Sequence, residues 1–215
     1  MKRCAICHIH SGTVLCGGCQ SLIPAIESPC QKCAKPLHQS DSLCGECRSD
    51  PPAFSKTIAA TIYQQPASHW VQQLKFGGRL DRASIMAEAL LPPLQAMDNN
   101  IPIIPVPLHP KRLRLRGYNQ AHEIAKIIAK QQNRPLLSDA LVRTKNTAMQ
   151  AELHEKQRAN NVRAAFALNQ TIESDTVIVM DDVMTTGQTL RSVAKCLNQA
   201  GIGEVIVAVF ARSGA

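Results

Sequence analysis

Val177-Ile178-Val179-Met180-Asp181-Asp182-Val183-Met184-Thr185-Thr186-Gly187-Gln188-Thr189 is the stretch from which the fold is read. Its four apolar residues predict a buried strand over 176–180, with Asp181 and Asp182 at the carboxyl end. A turn of small residues then feeds a helix over 189–200. In α/β proteins ligands bind at such a junction, because backbone N–H groups and the helix dipole there favour a phosphate. Thr185, Thr186 and Thr189 add hydroxyl donors around Gln188, and Gly187 lets the backbone approach a ligand closely. Asp181 and Asp182 can accept hydrogen bonds from a sugar diol at the same mouth. The stretch reads as a ribose-phosphate cradle.

Working outward, β-branched residues predict a strand over 57–63, and Val205 to Val209 a last buried strand. Pro66 opens a helix through Trp70 and Leu74 that Gly77-Gly78 breaks, and a second helix over 80–91 is closed by Pro92-Pro93. A short strand at 101–106 precedes a basic loop reaching Tyr118. A helix over 119–130 carries Ile124, Ile127 and Ile128 on one face. Short strands follow near Leu141 and at 165–168, with a polar loop at 144–161 between them. Strands alternating with helices predict an α/β fold with a mostly parallel sheet. Trp70 and Phe76 are assigned to core packing, with base stacking as the alternative.

Eight of the nine cysteines fall within the first 50 residues, as Cys4-Cys7, Cys16-Cys19, Cys30-Cys33 and Cys44-Cys47. Two residues between thiols is the spacing that brings both to one tetrahedral ion, so four pairs supply two Cys4 sites. Two structural Zn2+ ions are expected, paired in sequential order rather than crossed. So few large apolar side chains lie here that metal must supply much of the folding free energy. The cysteines stop at Ser49-Asp50-Pro51-Pro52, which divides the chain into a double zinc ribbon, 1–50, and a larger domain, 51–215. Cys196 is assigned to the core, and the histidines are not needed as ligands.

With 45% hydrophobic and 19% charged residues in a chain of 215, disorder is excluded. No apolar run approaches the ~20 residues that cross a bilayer, and no apolar segment follows the basic start, so a cytoplasmic protein is expected. The net charge is +8. Residues 108–163 carry twelve basic against four acidic side chains, while the charges elsewhere cancel. Such a segment points to phosphate or nucleic acid as a partner. If extended, it projects Arg112, Arg114 and Arg116 to one side and packs Leu113 and Leu115 on the other.

The stretch from Val177 to Thr189 resembles, at thirteen consecutive positions, the signature of phosphoribosyltransferases, which bind phosphoribosyl pyrophosphate with Mg2+. Further segments are similar to the ComF family (ComFC/GntX-like) of competence and DNA-utilisation proteins. They are Leu74-Lys75-Phe76-Gly77-Gly78-Arg79, the run from Pro105 to Gln120, and Arg143-Thr144-Lys145-Asn146 with Arg158 and Asn161. The resemblance implies a type I phosphoribosyltransferase-like domain behind a double zinc ribbon, and a role in natural transformation or DNA uptake. It places Arg112, Arg114 and Arg116 at the pyrophosphate loop, and Arg143, Lys145 and Arg158 around the flexible loop that closes over the sugar. Two functions follow. One is a binding module that handles imported single-stranded DNA beside a competence helicase or other DNA-processing protein, in the cytoplasm or peripherally at the inner membrane. The other is an active phosphoribosyltransferase with a nucleobase or other acceptor. The few residues after the last predicted strand leave little chain for an acceptor hood, which favours the first.

Overall fold

The computed structural model describes residues 3–37, 41–144 and 165–214. In chain order they form α1 (Gly17–Gln20), α2 (Gly45–Ser49), β1 (Lys56–Ile62), α3 (Ala67–Phe76) and α4 (Arg82–Gln95). Next come β2 (Ile103–Pro105), α5 (Pro110–Arg116), α6 (Gln120–Gln132), β3 (Leu141–Arg143) and β4 (Phe166–Leu168). The last three are β5 (Thr176–Met184), α7 (Gln188–Gln199) and β6 (Glu204–Arg212). The main sheet has the order β1-β6-β5-β2 and every pairing in it is parallel, while β3 and β4 form a separate antiparallel pair.

The continuous apolar runs of β5 and β6 take the centre because a central parallel strand is covered on both faces. Alternation divides their side chains between two cores. Ile178, Met180, Ile206 and Ala208 pack under α3, α4 and α6, with Trp70, Leu90 and Ile124. Val177, Val179, Val205 and Val207 pack under α7, with Leu190, Val193 and Leu197. Among the described residues, the cysteine-rich segment has no core of its own. Cys4, Leu15 and Cys19 join the first core, while Cys30, Cys33, Cys44 and Cys47 join the second. The two groups therefore lie against opposite faces of one sheet. Between them, Pro24 accepts a hydrogen bond from Thr61 Oγ1 at 2.7 Å, so the connecting segment passes the edge strand β1 and covers it.

Three features depart from the sequence expectations. α4 runs through Pro92 and Pro93 to Gln95 instead of stopping before them. Leu94 is buried, and the carbonyls of the last turn find donors elsewhere: Gln132 Nε2 at 3.3 Å from Leu91 O, and Arg134 Nη2 at 2.6 Å from Leu94 O. A buried guanidinium at a helix C-terminus satisfies carbonyls and opposes the dipole. One of the twelve basic residues of the 108–163 stretch is thereby taken into the interior.

The basic loop, second, is helical as α5. His109 caps it, its Nδ1 accepting from Lys111 N–H at 3.2 Å, Pro110 stands at the first helical position, and Gly117 ends it at φ 84°. A helix turns 100° per residue, so Arg114 faces away from Arg112 and Arg116. Leu113 and Leu115 do not pack: Leu115 is 89% exposed. Third, β5 and β6 each extend beyond the predicted runs. Val183 and Met184 pair with Ala211 and Arg212, so Asp181 and Asp182 stand inside the ladder near its carboxyl end.

Candidate functional site

The carboxyl edge of the sheet gathers the residues singled out in the sequence. Asp181 and Asp182 occupy consecutive positions of β5, and the backbone N–H of Asp182 donates to Asp181 Oδ1 at 2.9 Å. Asp182 is buried and ion-paired with Lys75 Nζ at 3.0 Å, from the last turn of α3. The two carboxylates thus differ. Burial, and then the neighbouring Asp182, push Asp181 up to about 7, while Lys75 acts the other way. A carboxyl group pushed up toward neutrality thus stands next to one that is ion-paired with a lysine.

β5 turns at Thr185 and Thr186, both exposed, into Gly187, which is buried at φ 76° and caps α7. A Cβ on Gly187 would lie 2.5 Å from Met184 Cε, and the left-handed conformation is one that side chains resist, so glycine is required twice over. Arg212, at the end of β6 and 2% exposed, holds this turn from behind. Its Nη1 donates to Met184 O at 3.2 Å and to Thr185 O at 2.5 Å. A trans peptide points its C=O and N–H in opposite directions, so fixing the Thr185 carbonyl aims the Thr186 N–H away from Arg212. That N–H, the hydroxyls of Thr185 and Thr186, and the start of α7 form an anion-binding concavity. Gln188 and Thr189 lie half-buried in the first turn of α7.

The predicted cations separate into two places. Arg143, on β3 with its guanidinium 5.4 Å from the Phe166 ring centroid, is held below its ordinary value by burial and by Arg112, with Asp181 opposing. Arg112 and Asp181 therefore both lie close enough to act on Arg143. Burial and the cations Lys111, Arg143, Arg112 and Arg114 also keep His109 from protonating as readily as a free imidazole. Arg116 goes elsewhere, its guanidinium 5.3 Å from the ring centroid of Phe76. Arg114 is exposed. Lys145, Arg158 and most of the 144–161 loop lie outside the described residues.

The eight cysteines assemble as Cys4, Cys7, Cys16 and Cys19, and as Cys30, Cys33, Cys44 and Cys47, with the sulfurs of each set within 4.8 Å of one another. No histidine among the described residues joins them. Knuckle N–H groups point at sulfur: Cys16 N at 3.4 Å from Cys4 Sγ, and Cys44 N at 3.3 Å from Cys30 Sγ. Burial raises Cys4 and Cys30, yet these donors outweigh it and bring them down to about 6 and about 7. Burial and the neighbouring sulfurs push Cys19 up to about 12. Four thiols this close cannot all ionise without a cation among them, and the donor set, count and spacing fit Zn2+. Each group could hold one ion.

Lys75, Arg134 and Arg212 were not singled out by their types or positions. Lys75 lies in the quoted Leu74-Lys75-Phe76-Gly77-Gly78-Arg79 segment, where a lysine just before a helix-ending Gly-Gly could have been flagged. For Arg212 the signal was a lone charge closing an apolar strand.

A family model described as "Phosphoribosyl transferase domain" matches residues 118–215. Competence protein F of Haemophilus influenzae is 32% identical over 208 residues, covering 93% of this chain and 90% of that protein. DNA utilization protein YhgH of Escherichia coli K12 is 29% identical over 202 residues, 90% of this chain and 88% of that one. Competence protein ComFC of Bacillus subtilis is 30% identical over 104 residues, 48% of this chain and 41% of the relative. No described helix is long and apolar enough to cross a membrane.

Proposed function

The chain belongs to the ComF family, with competence protein F and the DNA utilization proteins, and we propose from that premise that it binds a ribose phosphate and handles single-stranded DNA during uptake. The ligand is phosphoribosyl pyrophosphate or a related ribose phosphate taken with Mg2+. Asp181 and Asp182 accept from the ribose hydroxyls, and the turn from Thr185 to Thr189 takes the 5′-phosphate. Arg112, with Arg143 behind it, faces the pyrophosphate. Mg2+ supplies charge neutralisation between the phosphates, keeping most of its waters. Residues 1–50 act as a double zinc ribbon docked on the 51–215 domain.

One observation carries the reading: two adjacent carboxylates, Asp182 paired with Lys75 and Asp181 raised by burial, precede an anion-binding turn held from behind by Arg212. A diol acceptor followed by a phosphate receptor is the order of groups along a ribose 5-phosphate. DNA repeats the same sugar and phosphate chemistry, and the names of the relatives, competence protein F and DNA utilization protein YhgH, supply the DNA context. Binding across the basic stretch is sequence-tolerant and salt-dependent, with a slope of roughly −0.7 per phosphate neutralised.

Calorimetry of the full chain with phosphoribosyl pyrophosphate and Mg2+ tests the site. Asp181→Asn with Asp182→Asn weakens binding at least tenfold by the loss of about 1.4 kcal/mol or more. Equal affinity in the two proteins would sink the assignment.

A further inference from the structure

We infer that Phe76, clasped on one side by Arg116, is a stacking platform for a base of single-stranded DNA beside the ribose-phosphate site. The inference rests on the function proposed above and says where the base goes. Among the aromatic residues, Trp70 packs against Phe210 with ring centroids 6.5 Å apart, and Phe54, Phe166 and Phe210 are buried as well. Phe76 is 74% exposed. The core assignment therefore holds for Trp70 and fails for Phe76.

An isolated exposed phenylalanine has no special meaning, but this one is built into its place. Lys75, the residue before it, is tied to Asp182 at 3.0 Å, and the Tyr118 hydroxyl donates to Leu74 O one residue earlier. Gly77 stops the helix immediately afterwards, at a point where a Cβ would meet Gln73 O at 2.9 Å. α3 follows β1, at one edge of the sheet, and α5 follows β2, at the other. The contact between Phe76 and Arg116 thus joins the two flanks of the carboxyl edge, next to the lysine that organises the carboxylates.

A guanidinium over one ring face leaves the other for a planar partner. Of the groups a strand of DNA presents, only the base is planar and apolar. Every base has such a face, so a platform of this kind tolerates any sequence. The flanking cations, Lys75 and Arg116, suit the backbone on either side of the stacked nucleotide.

Oligothymidylate binding by the full chain, followed by fluorescence anisotropy at fixed salt, tests the platform. Phe76→Ala lowers affinity by roughly 5- to 150-fold, the range for loss of one stacked base. Its affinity for phosphoribosyl pyrophosphate stays within about twofold of wild type, since an exposed ring contributes little to the fold. Phe76→Trp retains oligothymidylate binding and its emission is quenched on saturation, against a wild-type background from buried Trp70. An abasic strand of the same length binds wild type and Phe76→Ala alike. Equal oligothymidylate affinity of wild type and Phe76→Ala, or unchanged emission from Phe76→Trp, overturns the platform. Wild type that binds phosphoribosyl pyrophosphate but no oligothymidylate overturns the platform and leaves the ribose-phosphate reading standing. Wild type that binds neither overturns both, and a surface meant for a protein partner shows itself as an affinity for oligothymidylate that Phe76→Ala does not change.

Discussion

The two cysteine groups are both built from two C-x-x-C pairs and differ in what they are attached to. In the first, Cys7 is exposed and Cys16 half-buried, and the nearest side-chain tie to the α/β body is Arg82 Nη1 on Ala5 O at 3.2 Å. In the second, all four cysteines are buried, and Arg212 Nε donates to Cys33 O at 2.8 Å while Nη1 of the same guanidinium holds the turn at Thr185. One side chain thus touches both a metal-fitting cluster and the anion-binding turn. Like ligand sets do not imply like roles: the first group organises its own loops, whereas the second also supports the candidate site.

The largest contrast comes from removing one ligand from each group. Cys44→Ser lowers the zinc content from two ions to one, lowers the melting temperature, and weakens phosphoribosyl pyrophosphate binding by at least tenfold. Structural zinc in small ribbons is worth on the order of 10 kcal/mol, so the loss is large. Cys7→Ser also gives one ion, but leaves ligand affinity within about twofold. Metal analysis with calorimetry separates the two, and equal losses of affinity would erase the distinction.

Arg212→Met sharpens the comparison by cutting the connection while keeping both ions. Buried carbonyls that lose a donor cost about 1–3 kcal/mol each, so the fold is weakened without being abolished. Hydrogen exchange at Thr185, Thr186 and Gly187 accelerates, ligand affinity falls, and zinc content stays at two. Unchanged exchange in the turn would show that the guanidinium merely fills space.

The smallest effect is a matter of pH and of sign. An unfolded aspartate titrates near 3.9, and Asp181 in the fold at about 7. Between those values the folded chain binds the extra proton, so this group's contribution to stability falls as pH rises from about 4 to about 7, and the charge is fully costly above that. Asp181→Asn therefore raises the melting temperature at pH 8, on the order of 2–4 °C per kcal/mol relieved, and the gain shrinks toward pH 5. Asp182→Asn does the opposite, because it strands Lys75 without its partner. A lower melting temperature for Asp181→Asn at pH 8 contradicts the assigned environment.

Local patterns carried most of the architecture. The β5 run, its carboxylates, the small turn and the four cysteine pairs are readable because each is contiguous and its chemistry is local. α5 was misread because Arg-Leu-Arg-Leu-Arg has the period of a strand, and the deciding signals were its ends, the His109 cap and Gly117. Pro92-Pro93 misled for a related reason: the donors that cap the end of α4 come from Gln132 and Arg134, about forty residues away. The residues that make the site work lay furthest from view. Lys75 and Arg212 act on partners in distant parts of the chain, Arg212 across 179 residues to Cys33, and no window along the sequence contains both ends of such a contact.

The edge position of β1 sets an order of events during folding. β1 pairs only with β6 within the sheet, and Ser55 already reaches Val205 across 150 residues. The cysteine pairs can close around metal as soon as their own short loops exist, since such closures are local and fast. Docking of the second group waits for β6, whose Arg212 donates to Cys33 O, whereas the first group is tied to α4 through Arg82. A chain with so many distant contacts folds slowly, and until β6 inserts, β1 is a strand without its partner. Insertion of β6 is thus the step that joins the locally formed second cysteine group to the sheet, and a truncation that removes it would leave that group without the guanidinium that ties it to the body.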